Sequence, residues 1–174
     1  MAHTSRIPRE RHETHHQKMV HHEGRAGHGY KKLPLMLALH FVIMFAVMYT
    51  MVWSWSDVFL NLNQTYMTLM MVAPMGAVML WLMRSMYPDR AKNIFIYALS
   101  GLVFALSLLF MRQQVAVGDR QFLRSMIPHH SGAILMCSRA SLSDPELSEL
   151  CQKIVASQTE EIAQMKRILE RMNE

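Results

Sequence analysis

Charged and hydrophobic residues are segregated along this 174-residue chain. Three stretches carry no charged side chain, between Lys32 and Asp57, between Asp57 and Arg84, and between Lys92 and Arg112. Each is long enough to cross the roughly 30 Å hydrocarbon core of a bilayer as a helix. Aromatic rings, which favour the membrane interface, stand near the ends of the first two: Trp53, Trp55, Tyr66, Trp81 and Tyr87. The pattern predicts a region of three transmembrane helices, residues 33–112.

The residues before the first stretch are polar, basic and rich in His. Residues 1–32 show no apolar periodicity, so we expect a disordered tail. Because an apolar core begins only at Leu33, we expect no cleavable signal peptide, and the first span then serves as the targeting anchor.

Basic residues near the span ends predict an orientation. The tail holds seven Lys or Arg, residues 55–64 hold none, and residues 84–92 hold three. The positive-inside rule places the tail in the cytoplasm, and three spans then place residues 113–174 on the opposite face. We therefore expect a protein of the bacterial inner membrane with a periplasmic C-terminal segment.

The C-terminal segment, residues 113–174, has the pattern of a helical hairpin. Ser143, Asp144 and Pro145 suit a turn that leads into a helix. The predicted helices cover about 119–140 and about 145–172, and Pro128 predicts a kink in the first. One hairpin buries little of its own apolar stripe, so we expect two copies to pair into a four-helix bundle. The fold class is all-α.

Methionine and histidine are abundant, with 18 Met and 10 His. Most Met side chains fill apolar space, but thioethers and imidazoles are also neutral ligands for copper-type ions. Helical positions three, four and seven apart share a face, which groups Met126, His129, His130 and Met136. This grouping predicts a site for copper(I), or for silver(I), on the first hairpin helix.

The second hairpin helix carries polar residues within its apolar stripe. Gln158 and Glu161 are costly to bury unless they are paired. In one orientation Glu161 holds an imidazole and Met165 joins the ligands; in the other Glu161 lies in water. Cys137 and Cys151 are open to three interpretations: a disulfide, soft ligands or supporting groups, or buried thiols.

The segment FLRSMIPHHSGAILMC, followed by SQTEEIAQM, resembles the signature of domain-of-unknown-function family 305. That signature has a Met-Ile-Pro-His-His core and a later Gln-x-x-Glu-Ile-x-x-Met, and the resemblance covers about residues 119–166. It implies a ferritin-like helical hairpin with a copper role outside the cytoplasm. It also implies metal roles for Met126, His129, His130, Met136 and Met165, with support from Gln158 and Glu161. Many members of this family carry two such hairpins, whereas this chain has one.

The first span contains a second group of soft donors, which recur every three or four residues: Met36, His40, Met44, Met48 and Met51. A histidine within a membrane span is a candidate functional residue, because polar groups there are costly. The alternative is that these side chains only pack against neighbouring helices. The second span has a Met at every fourth position from Met67 to Met83. At about 100° per residue, successive members of this row point in different directions around the helix, so they cannot all lie on one face. The His-rich composition of residues 1–32 favours binding of metal ions that prefer imidazole ligands, and composition is the only basis for this expectation.

These features favour a protein of copper or silver homeostasis or tolerance, not an enzyme, that sequesters the ion or hands it on. The expected partners are membrane lipid, a second copy, and a copper exporter or cuproprotein; no nucleic acid is expected. A membrane metal or thiol redox enzyme is the first alternative, although the chain has no Cys-x-x-Cys. A structural subunit of a larger membrane complex is the second.

Overall fold

The computed structural model describes residues 10–172, with side chains from residue 29 onward. Five α-helices follow in order: α1 Glu10–Met48, α2 Leu62–Leu82, α3 Arg90–Gln113, α4 Asp119–Arg139 and α5 Pro145–Arg171. Short 3-10 turns lie at Tyr49–Met51, Trp55–Asp57 and Arg84–Met86. Residues 10–172 contain no β-strand, so the all-α prediction is confirmed.

Three helical segments are long and apolar enough to cross a membrane: Gly29–Met51, Leu62–Leu82 and Arg90–Gln113. Two of them begin at side-chain caps, since Asn61 accepts a hydrogen bond from the Gln64 amide and Asp89 accepts one from the Lys92 amide. Each segment contains most of one charge-free stretch of the sequence.

Helix α1 begins at Glu10, well before the first span. The disordered tail predicted for residues 1–32 therefore differs from the structure over residues 10–32; residues 1–9 lie outside the described residues. The sequence from Glu10 to Pro34 contains no other proline and several good helix formers, so the helix of the span continues toward the N-terminus.

The hairpin of α4 and α5 has its own hydrophobic core. Leu123, Ile127 and Ile134 of α4 pack against Ile162 and Leu169 of α5. Helix α5 begins as predicted, with Pro145 at its first position and an Asp144 cap that accepts from the Leu147 amide. Helix α4 continues through Pro128, and the kink predicted there stays a prediction.

Helix α4 lies against the ends of the membrane-type helices. A Cβ atom on Gly132 would stand 3.2 Å from the Met51 carbonyl oxygen, so only glycine permits this approach without a shift. The Trp53 amide donates to Ser131 Oγ at 2.8 Å, and the Leu62 amide donates to Gln121 Oε1 at 3.1 Å. These contacts attach α4 to the end of α1 and the start of α2.

Candidate functional site

A cleft of about 480 Å³ separates α4 from the ends of α1, α2 and α3. Its lining includes His129 and six methionines: Met48, Met51, Met67, Met111, Met126 and Met136. We call it the methionine cleft. All three membrane-type helices and α4 contribute a methionine to the lining, so the cleft exists only in the folded chain.

Local spacing explains the contribution of α4 to the cleft. Met126, His129 and Met136 are three and seven positions apart and share one face of the helix. Between them, Gly132 and Ala133 also line the cleft, and their small size leaves space beside the donors. Met136 is 56% exposed, so the donor set is reachable from outside.

His130 has a different environment from His129. It is buried, with Nδ1 2.9 Å from the Met126 carbonyl oxygen and Nε2 2.8 Å from Glu161 Oε2. Both ring nitrogens therefore contact oxygen atoms of the hairpin, one in α4 and one in α5, and His130 joins the two helices.

Glu161 is held as a carboxylate. Ser157 Oγ donates to Glu161 Oε1 at 2.7 Å, and this bond, followed by the contact with His130, lowers the pKa of Glu161 below its usual value. Of the two orientations left open by the sequence, the structure shows the one in which Glu161 contacts an imidazole.

Pro128 provides an attachment point between α4 and α2. Because proline has no N–H, the carbonyl of Arg124 lacks its usual helical donor. Asn61 Nδ2 donates to that oxygen at 3.4 Å, while Asn61 Oδ1 accepts from the Gln64 amide at 2.8 Å. One side chain thus caps α2 and holds α4 beside the cleft.

Asp57 forms the second attachment between the span ends and the hairpin. This carboxylate is 4% exposed, accepts from Ser131 Oγ at 2.6 Å, and pairs with Lys166 Nζ of α5 at 2.6 Å. Sequence reasoning assigned no role to Asp57. The sequence does contain an indication of a structural role, because Asp57 is the only Asp, Glu, Lys or Arg between Lys32 and Arg84.

Several predicted site residues lie away from the methionine cleft. Met165 packs against the hairpin core, and Gln158 is half-buried on α5. Met36, His40 and Met44 lie on α1 before the cleft, whereas Met48 and Met51 line it. The structure thus joins part of the hairpin group to part of the membrane stripe, and it adds Met67 and Met111.

The two cysteines form a disulfide, Cys137–Cys151, with a Cα–Cα distance of 5.2 Å. The bridge joins the last turn of α4 to the first turns of α5. In this oxidised state neither sulfur is a thiolate, the form in which cysteine binds metals. Of the three interpretations left open by the sequence, the structure therefore shows the disulfide.

Among residues 29–172, whose side chains the structure describes, no group of three or more His, Cys, Asp or Glu is placed to hold a metal ion. The methionine cleft is instead lined by six methionines and one histidine. Such a set suits a soft ion and disfavours hard cations, which require oxygen ligands.

Comparisons with known proteins match the hairpin region to a family. The family model described as Domain of unknown function (DUF305) matches residues 108–169, from the end of α3 through most of α5. "Uncharacterized protein L153" of Acanthamoeba polyphaga mimivirus is 34% identical over 119 residues, which cover 67% of this chain and 76% of the relative. That alignment is longer than the family segment, so the similarity includes residues outside it. No solved structure matches.

Proposed function

This chain belongs to the DUF305 family, and from that premise we propose that it is a membrane protein that binds copper(I), or silver(I), in the methionine cleft. Its role is metal homeostasis or tolerance, through sequestration or hand-over of the ion. Six methionines and His129 line this one cleft, and that observation carries the proposal because thioether and imidazole donors select soft ions.

The ligands we propose come from two helices. Met126, His129 and Met136 of α4 line the cleft together with Met48 at the end of α1 and Met51 of the following 3-10 turn. Thioether side chains are unbranched and adaptable, so several of them can rearrange around one ion. His130 acts through its contacts with the Met126 carbonyl and Glu161, which hold the α4 turn that carries the donors.

The location we propose follows from the charge pattern. Three helices with the length and composition of membrane spans, together with the basic excess of the tail, support a cytoplasmic N-terminus in a bacterial inner membrane. The cleft then opens on the periplasmic side, where an exporter or cuproprotein reaches the exposed Met136.

The ferritin-like pairing of two hairpins stays a prediction. The span ends already cover part of the hairpin, since Phe59 packs against its core and Lys166 pairs with Asp57. Exposed Phe122, Leu147 and Leu150 remain for a second copy.

Thiol–disulfide exchange is a second candidate function, and the Cys137–Cys151 bridge is the observation that favours it. This alternative requires turnover of a dithiol substrate by the purified protein. Copper(I) binding requires no turnover of a dithiol substrate, so a turnover assay distinguishes thiol–disulfide exchange from copper(I) binding.

Competition with a copper(I) chelator tests the proposal on the full chain in detergent. Replacing Met126 and Met136 together by Leu removes two thioethers at nearly constant volume. The matched control is the Leu substitution of Met83 and Met86, which are exposed and lie outside the cleft. We expect at least about a tenfold loss of affinity in the cleft variant and no change in the control. Equal affinities in both variants would contradict the cleft as the binding site.

A further inference from the structure

A second cavity, a groove of about 470 Å³, lies between α1 and α3 with α2 as its floor. Its walls are apolar and include Leu37, Leu69, Val72, Ala73, Phe95 and Leu99. We call it the inter-span groove. It lies within the segments that are apolar enough to cross a membrane, and it is separate from the methionine cleft.

The groove exists because α1 and α3 each pack on α2 while their backbones stay apart. Gly76 of α2 is close to both helices, since a Cβ atom there would stand 3.3 Å from Ser100 Oγ and 3.4 Å from Leu37 Cδ1. At one end, Tyr30 Oη donates to Asn93 Oδ1 at 2.7 Å and joins α1 to α3. The groove is thus bounded at the Tyr30 end.

The Tyr30 end of the groove is basic. Lys92 lines the groove, with Nζ 5.3 Å from the Tyr30 ring centroid. Lys31, Lys32 and Arg90 are exposed on the neighbouring turns. Among the side chains that the structure describes, one acidic group is close, Asp89, which pairs with Lys92 at 2.9 Å. The described side chains therefore give this end of the groove a net positive charge.

We propose that the inter-span groove holds one acyl chain of an anionic glycerophospholipid, with its phosphate at Lys92. The inference rests on the membrane location in the proposed function. Inside a bilayer, the surroundings of an apolar groove are acyl chains, and basic pockets between spans select anionic headgroups. The groove volume of about 470 Å³ is many times the roughly 30 Å³ share of one water molecule, so it has room for a segment of an acyl chain.

Native mass spectrometry of the full chain, offered equal amounts of phosphatidylglycerol and phosphatidylcholine, tests the site. We expect a one-lipid adduct that favours phosphatidylglycerol. Lys92→Gln should reduce this preference about fivefold, the effect of one basic residue near the headgroup, whereas Lys92→Arg should retain it.

A second pair of variants tests the acyl-chain position. Ala73→Leu fills the groove and should reduce adducts with both lipids. Ala105→Leu makes the same change at an exposed site outside the groove and should leave them unchanged. Equal adducts in these two variants, or no preference between the lipids, would overturn the lipid site.

Three outcomes identify what has failed. A dimer without lipid that Ala73→Leu abolishes would overturn the proposal and assign the groove to a second copy. If a carbonate wash extracts the protein from membranes, the lipid site and the proposed membrane location are both wrong. A protein that resists carbonate but has no lipid preference would overturn the lipid site alone.

Discussion

His129 and His130 are adjacent in the sequence but have different chemical environments. His129 is exposed and lines the methionine cleft, whereas His130 is buried between two acceptors. Helical spacing placed both near Met126 and Met136 but did not separate their roles. That separation depends on Glu161, which is 31 positions away from His130 in sequence.

Substitution of the two histidines should therefore have different effects. His129→Ala should weaken copper(I) affinity with little change in Tm. His130→Ala removes the hydrogen bond that joins α4 to Glu161 of α5 and should lower stability by about 1 kcal/mol, seen as a lower Tm, because the half-exposed Glu161 regains water. The double variant should lose high-affinity binding. A His130→Ala protein with normal Tm and lost affinity would instead identify His130 as a ligand.

The contact between Glu161 and Ser157 predicts a pH-dependent stability. The folded-state pKa of Glu161 lies below its unfolded value, so its stabilisation is present above the usual Glu range and is lost as pH falls through the lowered pKa. Glu161→Gln should therefore lower Tm at neutral pH, and the difference from wild type should shrink in acid. The exposed residue Glu160 provides the control, because Glu160→Gln should leave Tm nearly unchanged at both pH values. A Glu161 deficit that grows toward low pH would contradict this assignment.

At the scale of helices, the sequence predicted most boundaries. Charge-free stretches located the three membrane-type helices, and Asp144 with Pro145 located the start of α5. The docking of α4 on the span ends was not predicted, because it depends on Asp57 and Asn61 in a short connection without its own periodic pattern. Periodicity identifies the faces of one helix but not which faces of different helices meet. For this reason Met67 and Met111 were missed.

The Asp57–Lys166 pair should hold the hairpin against the span ends. Asp57→Asn removes the charge from a buried position and should destabilise the protein by about 2 kcal/mol, reduced from the value for a fully buried pair because Lys166 is 29% exposed. Faster proteolysis between α1 and α2 and a lower Tm should report this loosening. Lys153→Gln breaks an exposed pair with Glu149 and should change little. Equal effects of the two substitutions would contradict the attachment.

At the scale of the whole molecule, the distribution of basic residues predicts one topology. A periplasm-sensitive reporter fused after Glu174 should be active, and one inserted in residues 84–92 should be inactive, because the basic excess lies on the tail side. Protein levels of both fusions should be matched by immunoblot. Activity only in the 84–92 fusion would place the methionine cleft in the cytoplasm.

X-ray absorption at the copper edge tests the central claim most directly, with less than one equivalent of copper(I) on the full chain. The predicted coordination shell is mostly sulfur with one nitrogen, since six thioethers and His129 line the cleft. His129→Ala should remove the nitrogen and keep the sulfur. A shell of nitrogen and oxygen without sulfur in the wild-type protein would contradict the methionine cleft and indicate the His-rich residues 1–28 instead.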